Sequence, residues 1–442
     1  GTLRYEGSNM LGKSRQARWL PTWNVSGSWN AHEENWWAPT FGKAWTYASL
    51  KASYSLTADR GPASNSLAVF QSFTPWRPST SANESAIILA ALENSELTYE
   101  KKNELNIGVA LGFVDNRINV EFDWYRRNNF DLIGYTQTMG VGGVTTKLAN
   151  DATMESTGCE FTISTTNIKT KDFKWTTDWI FGWAENTITK LDSRSQVYSL
   201  VNGVGRTEGR PIGALYSIPF AGLTEEGLPT FFIDAEHTQV VGPGNYAAIY
   251  FQEYENIDYL KYEGTIDPKI TGSFGNTFSW KGLKLNVFFT YSFGNVLRLD
   301  NLCPVYSSDY SDLTASMKEM KNRWMVPGDE NVTTIPSIPT VRQMREIDAL
   351  NNAYSAYNYS TERVAKGDFI RLKELSLAYD LPKKYFEGQN AVSSFGVKLS
   401  ATNLWLAYAD KKLNGRDPEY YNTGGVSSPV PRQFTLTVKL GF

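Results

Sequence analysis

Apolar and polar residues alternate one for one along most of this chain, and residues 434–442 show it most clearly. Phe434, Leu436, Val438, Leu440 and Phe442 are apolar, with Thr435, Thr437, Lys439 and Gly441 between them. Successive side chains of a strand point to opposite faces, so this period predicts a strand with one greasy and one polar face. The same pattern predicts strands over 19–30, 47–57 and 105–113. A tight turn at Asp115-Asn116 leads into a strand carrying Ile118, Val120, Phe122 and Trp124 on one side and Asn119, Glu121 and Asp123 on the other. Later strands are predicted at 159–163, 175–183, 270–280, 283–293, 375–381 and 395–401, with weaker candidates at 212–223, broken by Pro219, and 228–233. Residues 1–6 read as the tail of a strand that begins upstream, so the chain is expected to be a fragment of a longer protein.

These strands number roughly fourteen, and the connections between them alternate in length. Short ones are expected at 114–117, 169–172, 224–227, 281–282 and 382–393, long ones at 61–97, 136–154, 191–211, 234–268, 300–368 and 409–431. Short turns on one side and long loops on the other are the habit of outer-membrane barrels. The stretch 31–46 breaks the rule, being long and rich in tryptophan (Trp36, Trp37, Trp45) on the side of the short turns. Glu121 and Asp123 would be costly in a soluble core but are tolerated in a watery lumen. The fold class read from the pattern is therefore all-β, a transmembrane antiparallel β-barrel with long extracellular loops, and 1–442 is expected to be one part of a single barrel domain.

Composition sharpens this. Fourteen Trp and 24 Tyr suit a membrane boundary, where an apolar ring with a polar tip is favoured. A net charge of -3 without a basic run gives no basis for nucleic-acid binding. No apolar run is long enough for a transmembrane helix, which says nothing against strands crossing a membrane. Tyrosine-rich composition alone would also fit a secreted, lectin-like sandwich.

Chemistry is sparse. His32 and His237 are isolated, and His32-Glu33-Glu34-Asn35 lacks the second histidine of a zinc-helix motif. Gly140-Val141-Gly142-Gly143 joins strands and reads as a loop tip, not a nucleotide loop. Asp309 and Asp312 lack the regular spacing of a calcium loop, and Cys159 and Cys303 show no metal spacing. Glu121 and Asp123, about 7 Å apart on one face, read as lumen lining and not as a glycosidase pair. No catalytic, cofactor or metal residue is expected, and no enzyme. The long loops are aromatic, and Trp76, Arg77, Tyr246, Tyr250, Tyr306 and Tyr310 are the candidate residues for substrate or partner contact.

A series of motifs then carries a family likeness across the chain. These are 4–9 (Arg-Tyr-Glu-Gly-Ser-Asn), Glu100 with Asn106-Ile107-Gly108, Asp131-Leu132-Ile133, Ser156-Thr157-Gly158-Cys159-Glu160, Glu208-Gly209-Arg210-Pro211, Arg323-Trp324 with Pro327-Gly328-Asp329, Phe369-Ile370-Arg371-Leu372-Lys373, Gly415-Arg416-Asp417-Pro418-Glu419 and Pro431-Arg432-Gln433-Phe434. In order and spacing the chain resembles the C-terminal barrel part of SusC/RagA-family TonB-dependent transporters of Bacteroidota. The resemblance implies a plugged barrel of about 22 strands, of which this chain would supply the last part, closed by an N-terminal segment of the same barrel. It implies a bacterial outer-membrane location in contact with the lipid bilayer, and import of oligosaccharides or peptides. It also implies a SusD-like surface lipoprotein as partner and energy from the TonB complex through a plug and TonB box outside this chain. A structural or docking subunit of an outer-membrane assembly is the alternative.

Overall fold

A computed structural model describes residues 1–442 except 43, 63–64, 76–84, 142, 303–317, 383–384, 386–391, 422–430 and 442. The chain is mostly β and divides into two compact units, one built chiefly from residues 1–169 and 175–194, the other chiefly from 212–442.

The first unit is an antiparallel meander of seven strands: β1 (Thr2–Gly7), β2 (Trp19–Trp29), β3 (Trp45–Asp59), β4 (Glu100–Phe113), β5 (Ile118–Gln137), β6 (Thr146–Lys169) and β7 (Phe173–Leu191), each beside its neighbour in sequence. The register sorts side chains by chemistry. Trp29 faces Leu50, Leu50 faces Val109, Val109 faces Phe122 and Phe122 faces Phe161, a row of apolar residues across five strands. The neighbouring row, Ser28, Lys51, Gly108, Asp123 and Glu160, is polar or small and lies on the opposite face. Glu121 and Asp123 thus belong to a polar face.

The second unit holds a five-stranded meander, β8 (Ile270–Trp280), β9 (Leu283–Phe293), β10 (Phe369–Asp380), β11 (Ser394–Ala409) and β12 (Gln433–Gly441). Phe278, Leu285, Leu377, Leu399 and Leu436 make one apolar row across all five. Lys284, Ala378, Lys398 and Thr437 make a row on the other face. Leu377, Leu399 and Leu436 are 45, 51 and 67% exposed, so nothing among the described residues covers this row. An uncovered apolar sheet face is the surface a barrel presents to hydrocarbon. Strand β1 ladders only with β2, and β12 only with β11, among the described residues.

Turns follow the expected chemistry. Lys281 and Gly282 both have positive φ (45° and 89°), the mirror-image turn whose twist matches a hairpin. A Cβ on Gly282 would also meet the Asp380 carbonyl at 2.5 Å. Val114, Asp115 and Asn116 take the left-handed region at the other tight turn.

Two expectations need correction. Residues 136–154 are not a long loop: β5 and β6 run on to Gln137 and back from Thr146, leaving only 138–145 between them. The weak candidates at 212–223 and 228–233 do not join the meander. They form short strands (Ala214–Ser217, Phe220–Leu223, Pro229–Phe232) in two small sheets, with Ala214–Ser217 paired to Lys261–Thr265. Described parts of the connections 192–269 and 294–368 thereby fold into a body with its own core, including Val197, Leu200, Ile218, Phe231, Tyr246, Tyr354 and Tyr357.

Several of the quoted motifs prove to be clamps. The Glu100 carboxylate accepts from the Ile133 N–H (2.8 Å) where β5 bulges at Asp131. A Cβ on Gly158 would meet the Tyr125 hydroxyl at 2.4 Å, and Arg127 lies 3.9 Å over that Tyr125 ring while binding Glu104. The Asp329 carboxylate accepts from the N–H groups of Met325 and Val326 (2.9 and 3.0 Å). Buried Arg371 joins two motifs by pairing with Asp417 and, at 3.3 Å, with Glu419.

Two outcomes follow. Leu399→Arg in the full-length protein is expected to cost about 2–4 kcal/mol if placed near mid-bilayer and to lower the folded fraction in heat-modifiability gels, while Thr435→Arg on the polar face leaves it near normal. Arg371→Met leaves Asp417 buried and unpaired, a cost of about 3–5 kcal/mol, read as faster proteolysis within 410–432.

Candidate functional site

The described part of the 192–269 and 294–368 body carries a groove of about 470 Å³, within the range of small-ligand sites. The helix Leu350–Asn358 supplies one wall. Leu350, Ala353, Tyr354 and Tyr357 face the core at helical spacing, which turns Asn351, Asn352 and Ser355 toward the groove. The opposite side comes from Ile249, Tyr250, Phe251 and Gln252, with Tyr198, Asn301, Asn358 and Tyr359 completing the lining.

Aromatic packing fixes the floor. Tyr359 meets Tyr198 and Phe251 edge-on, with ring centroids 6.2 and 5.9 Å apart. The Tyr198 N–H donates to the Phe251 carbonyl at 2.9 Å, joining the two walls. Asn352 Nδ2 donates to the Ile249 carbonyl (3.3 Å), and Asn358 Oδ1 accepts from the Leu302 N–H (3.0 Å). Burial raises the Tyr359 hydroxyl above its usual range, so this ring stays neutral. Among the described residues the lining holds no carboxylate, ammonium or guanidinium, but amides, hydroxyls, rings and the Ile249 side chain. Such a surface offers stacking faces and paired donors and acceptors to an uncharged polar ligand.

Behind it, Arg298 ties the body together. Its guanidinium donates to the carbonyls of Val201 (3.2 Å), Tyr216 and Ser360 (2.9 Å) and to Ser217 Oγ (3.1 Å). Burial pushes its pKa down to about 10, which leaves it charged at neutral pH.

The six residues singled out in the sequence fall in different places. Tyr250 is 57% exposed at the groove. Tyr246 is fully buried; its hydroxyl donates to the Pro229 carbonyl (2.8 Å) and burial raises its pKa, so it is a core residue and not a contact. Trp76, Arg77, Tyr306 and Tyr310 lie outside the described residues, as do Asp309, Asp312 and Cys303. His32 rests against the Ala48 carbonyl (2.9 Å) and His237 stacks on Phe232. Sequence reasoning missed Tyr198, Asn351, Asn352 and Tyr359. The signal available was the helical spacing of Leu350, Tyr354 and Tyr357, which leaves Asn351 and Ser355 on the other side.

A second hollow of about 290 Å³ lies on the polar face of β9–β12, lined by Lys284, Lys398, Lys439 and Asp380 among others. Lys398 is paired to Glu374 at 3.3 Å.

No protein-family model matches the chain. Among curated proteins it is 26% identical over 477 residues to TonB-dependent receptor P3 of Formosa agariphila, covering 100% of the chain and 43% of that protein. It is 34% identical over 99 residues to TonB-dependent receptor SusC of Bacteroides thetaiotaomicron, covering 22% of the chain and 10% of that protein. Among solved structures, the RagAB peptide transporter superposes with a TM-score of 0.73 at 23% identity, over 100% of the chain and 45% of the matched one. The chain thus spans less than half the length of the relatives that it matches from end to end. In sequence the chain is similar to proteins named TonB-dependent receptor, SusC among them, and in fold to the RagAB transporter.

Proposed function

We propose that the chain is part of an outer-membrane importer of bulky nutrients, oligosaccharides or peptides, energised by TonB and working with a SusD-like surface lipoprotein. The observation that carries this reading is the uncovered apolar face set against a polar one through β8–β12. That arrangement belongs to a wall between lipid and a wet lumen, and the chain is similar in sequence to a protein named TonB-dependent receptor P3. The barrel that this chain would help to close is of the 22-strand class, with plug and TonB box supplied by residues outside it. The groove at Tyr250 and Tyr359 is the loop surface we assign to substrate contact. Tyr306 and Tyr310, in the long connection 294–368, and Trp76 and Arg77, in the separate long connection 61–97, are proposed as further contact residues.

Deleting the gene is expected to abolish growth on one class of oligosaccharide or peptide, read by supplying each as sole nutrient; unimpaired growth on all of them overturns the importer and leaves the docking subunit. In the complemented strain, Tyr250→Ala is expected to weaken uptake of that nutrient about tenfold, a loss of about 1.4 kcal/mol, with surface expression unchanged. Normal uptake by this variant removes the groove from the transport path.

A further inference from the structure

Residues 30–44 join β2 to β3 at the end of the first meander where the other connections are only 114–117 and 170–172. Ala31–Glu33 forms a single 3-10 turn and Trp37–Phe41 a short helix. Trp37 is buried, its ring 4.7 Å from those of Phe41 and Trp45, and its Nε1 donates to the Trp45 carbonyl at 2.8 Å. Ala31, Trp37 and Ala48 make a small core against Phe41, Trp45 and Leu111.

The register tells which side of the sheet this is. Ala48 faces Leu111 and Leu111 faces Val120. These positions lie two residues along from Leu50, Val109 and Phe122, hence on the same apolar face. Ala31, Trp37 and Phe41 therefore cover the apolar face, while Asn30 and His32 reach the polar side, where Asn30 Oδ1 accepts from Ser49 Oγ (3.0 Å) and His32 packs on Tyr47. Ala48 is 5% exposed beneath this cover, whereas uncovered Leu50 is 44% exposed.

A cap on this face must itself be covered by whatever covers the face. Its outer side is built for a boundary. Trp36 is 49% exposed. Trp29, the last residue of β2, is also 49% exposed, with its indole N–H held by Glu34 at 3.0 Å. Exposed Val114 and Ile118 flank the adjoining turn. An indole sets an apolar ring beside one polar N–H and is favoured where hydrocarbon gives way to headgroups.

We propose that residues 31–41 are a membrane-interface anchor that seats Trp36 and Trp29 at the headgroup–acyl boundary of the phospholipid leaflet on the short-turn side. The occupant is phospholipid because the cap is continuous with the apolar row of Trp29, Leu50, Val109 and Phe122. The proposal rests on the reading of that row as lipid-facing, and the experiment separates the two.

The full-length protein, with Cys159→Ser and Cys303→Ser, is reconstituted in phosphatidylcholine vesicles and spin-labelled at Trp36→Cys or, separately, at Leu50→Cys. Collision with oxygen and with a water-soluble nickel complex is then measured by power saturation. The Leu50 label is expected to favour oxygen strongly. The Trp36 label is expected to meet both reagents, at a depth within about 10 Å of the headgroup level. A Trp36 label that meets only nickel, or neither reagent, overturns the anchor while the Leu50 result still stands. A Leu50 label that meets nickel as freely as an aqueous loop overturns the lipid-facing row, and the anchor with it.

Discussion

Everything in this chain depends on one constraint: a paired strand must show different chemistry on its two faces, and its neighbours must agree with it. Leu399 is useful only because it lies between Leu377 and Leu436, and those three only because Leu285 and Phe278 continue the row. A slip of one residue would put Lys398 and Thr437 into that row. Uncharged, branched or aromatic residues on one face and small, hydroxylated or charged ones on the other are what a wall between hydrocarbon and water requires. The backbone groups satisfy one another along each ladder, and lipid permits nothing less.

The long connections obey a different rule. Freed from the sheet, they bury a core of their own and hold it with a few directed polar groups. Arg298 gathers carbonyls from three parts of the body, and Arg363 binds Glu319 and the Asp300 carbonyl. Among the described residues, the groove between Tyr250 and the helix Leu350–Asn358 is lined by uncharged side chains, while the polar face of β9–β12 keeps its lysines and carboxylates. Under the proposed function, the groove is where the ligand is gripped and the charged polar face lies along its path.

Much of the meander was legible because a period of two persists through strands such as Leu283–Phe293 and Gln433–Gly441. Turn residues with positive φ, such as Lys281-Gly282, mark the hairpins as well. The 136–154 stretch misled because Asn, Asp, Gly and Thr read as loop, while in the structure the ladder runs from Leu132–Ala152 out to Gln137–Thr146. The loop body was not legible because its strands are two to five residues long and its core contacts join positions far apart, as when Ile218 meets Ser360. Tyr246 and Tyr250 looked alike in sequence. Only folding placed one in a core and left the other at a groove. Several motifs read as family marks hold bulges and loop ends, so packing alone gives a reason for them.

The account stands or falls on the two faces of β12. Single cysteines placed in turn from Phe434 to Leu440 in the full-length protein, in intact outer membranes, can be challenged with a membrane-impermeant maleimide after the outer leaflet is made permeable to it. Reaction at 435, 437 and 439, with protection at 434, 436, 438 and 440, is the predicted result. Equal labelling at all seven positions would contradict it, because no apolar face would then be in lipid.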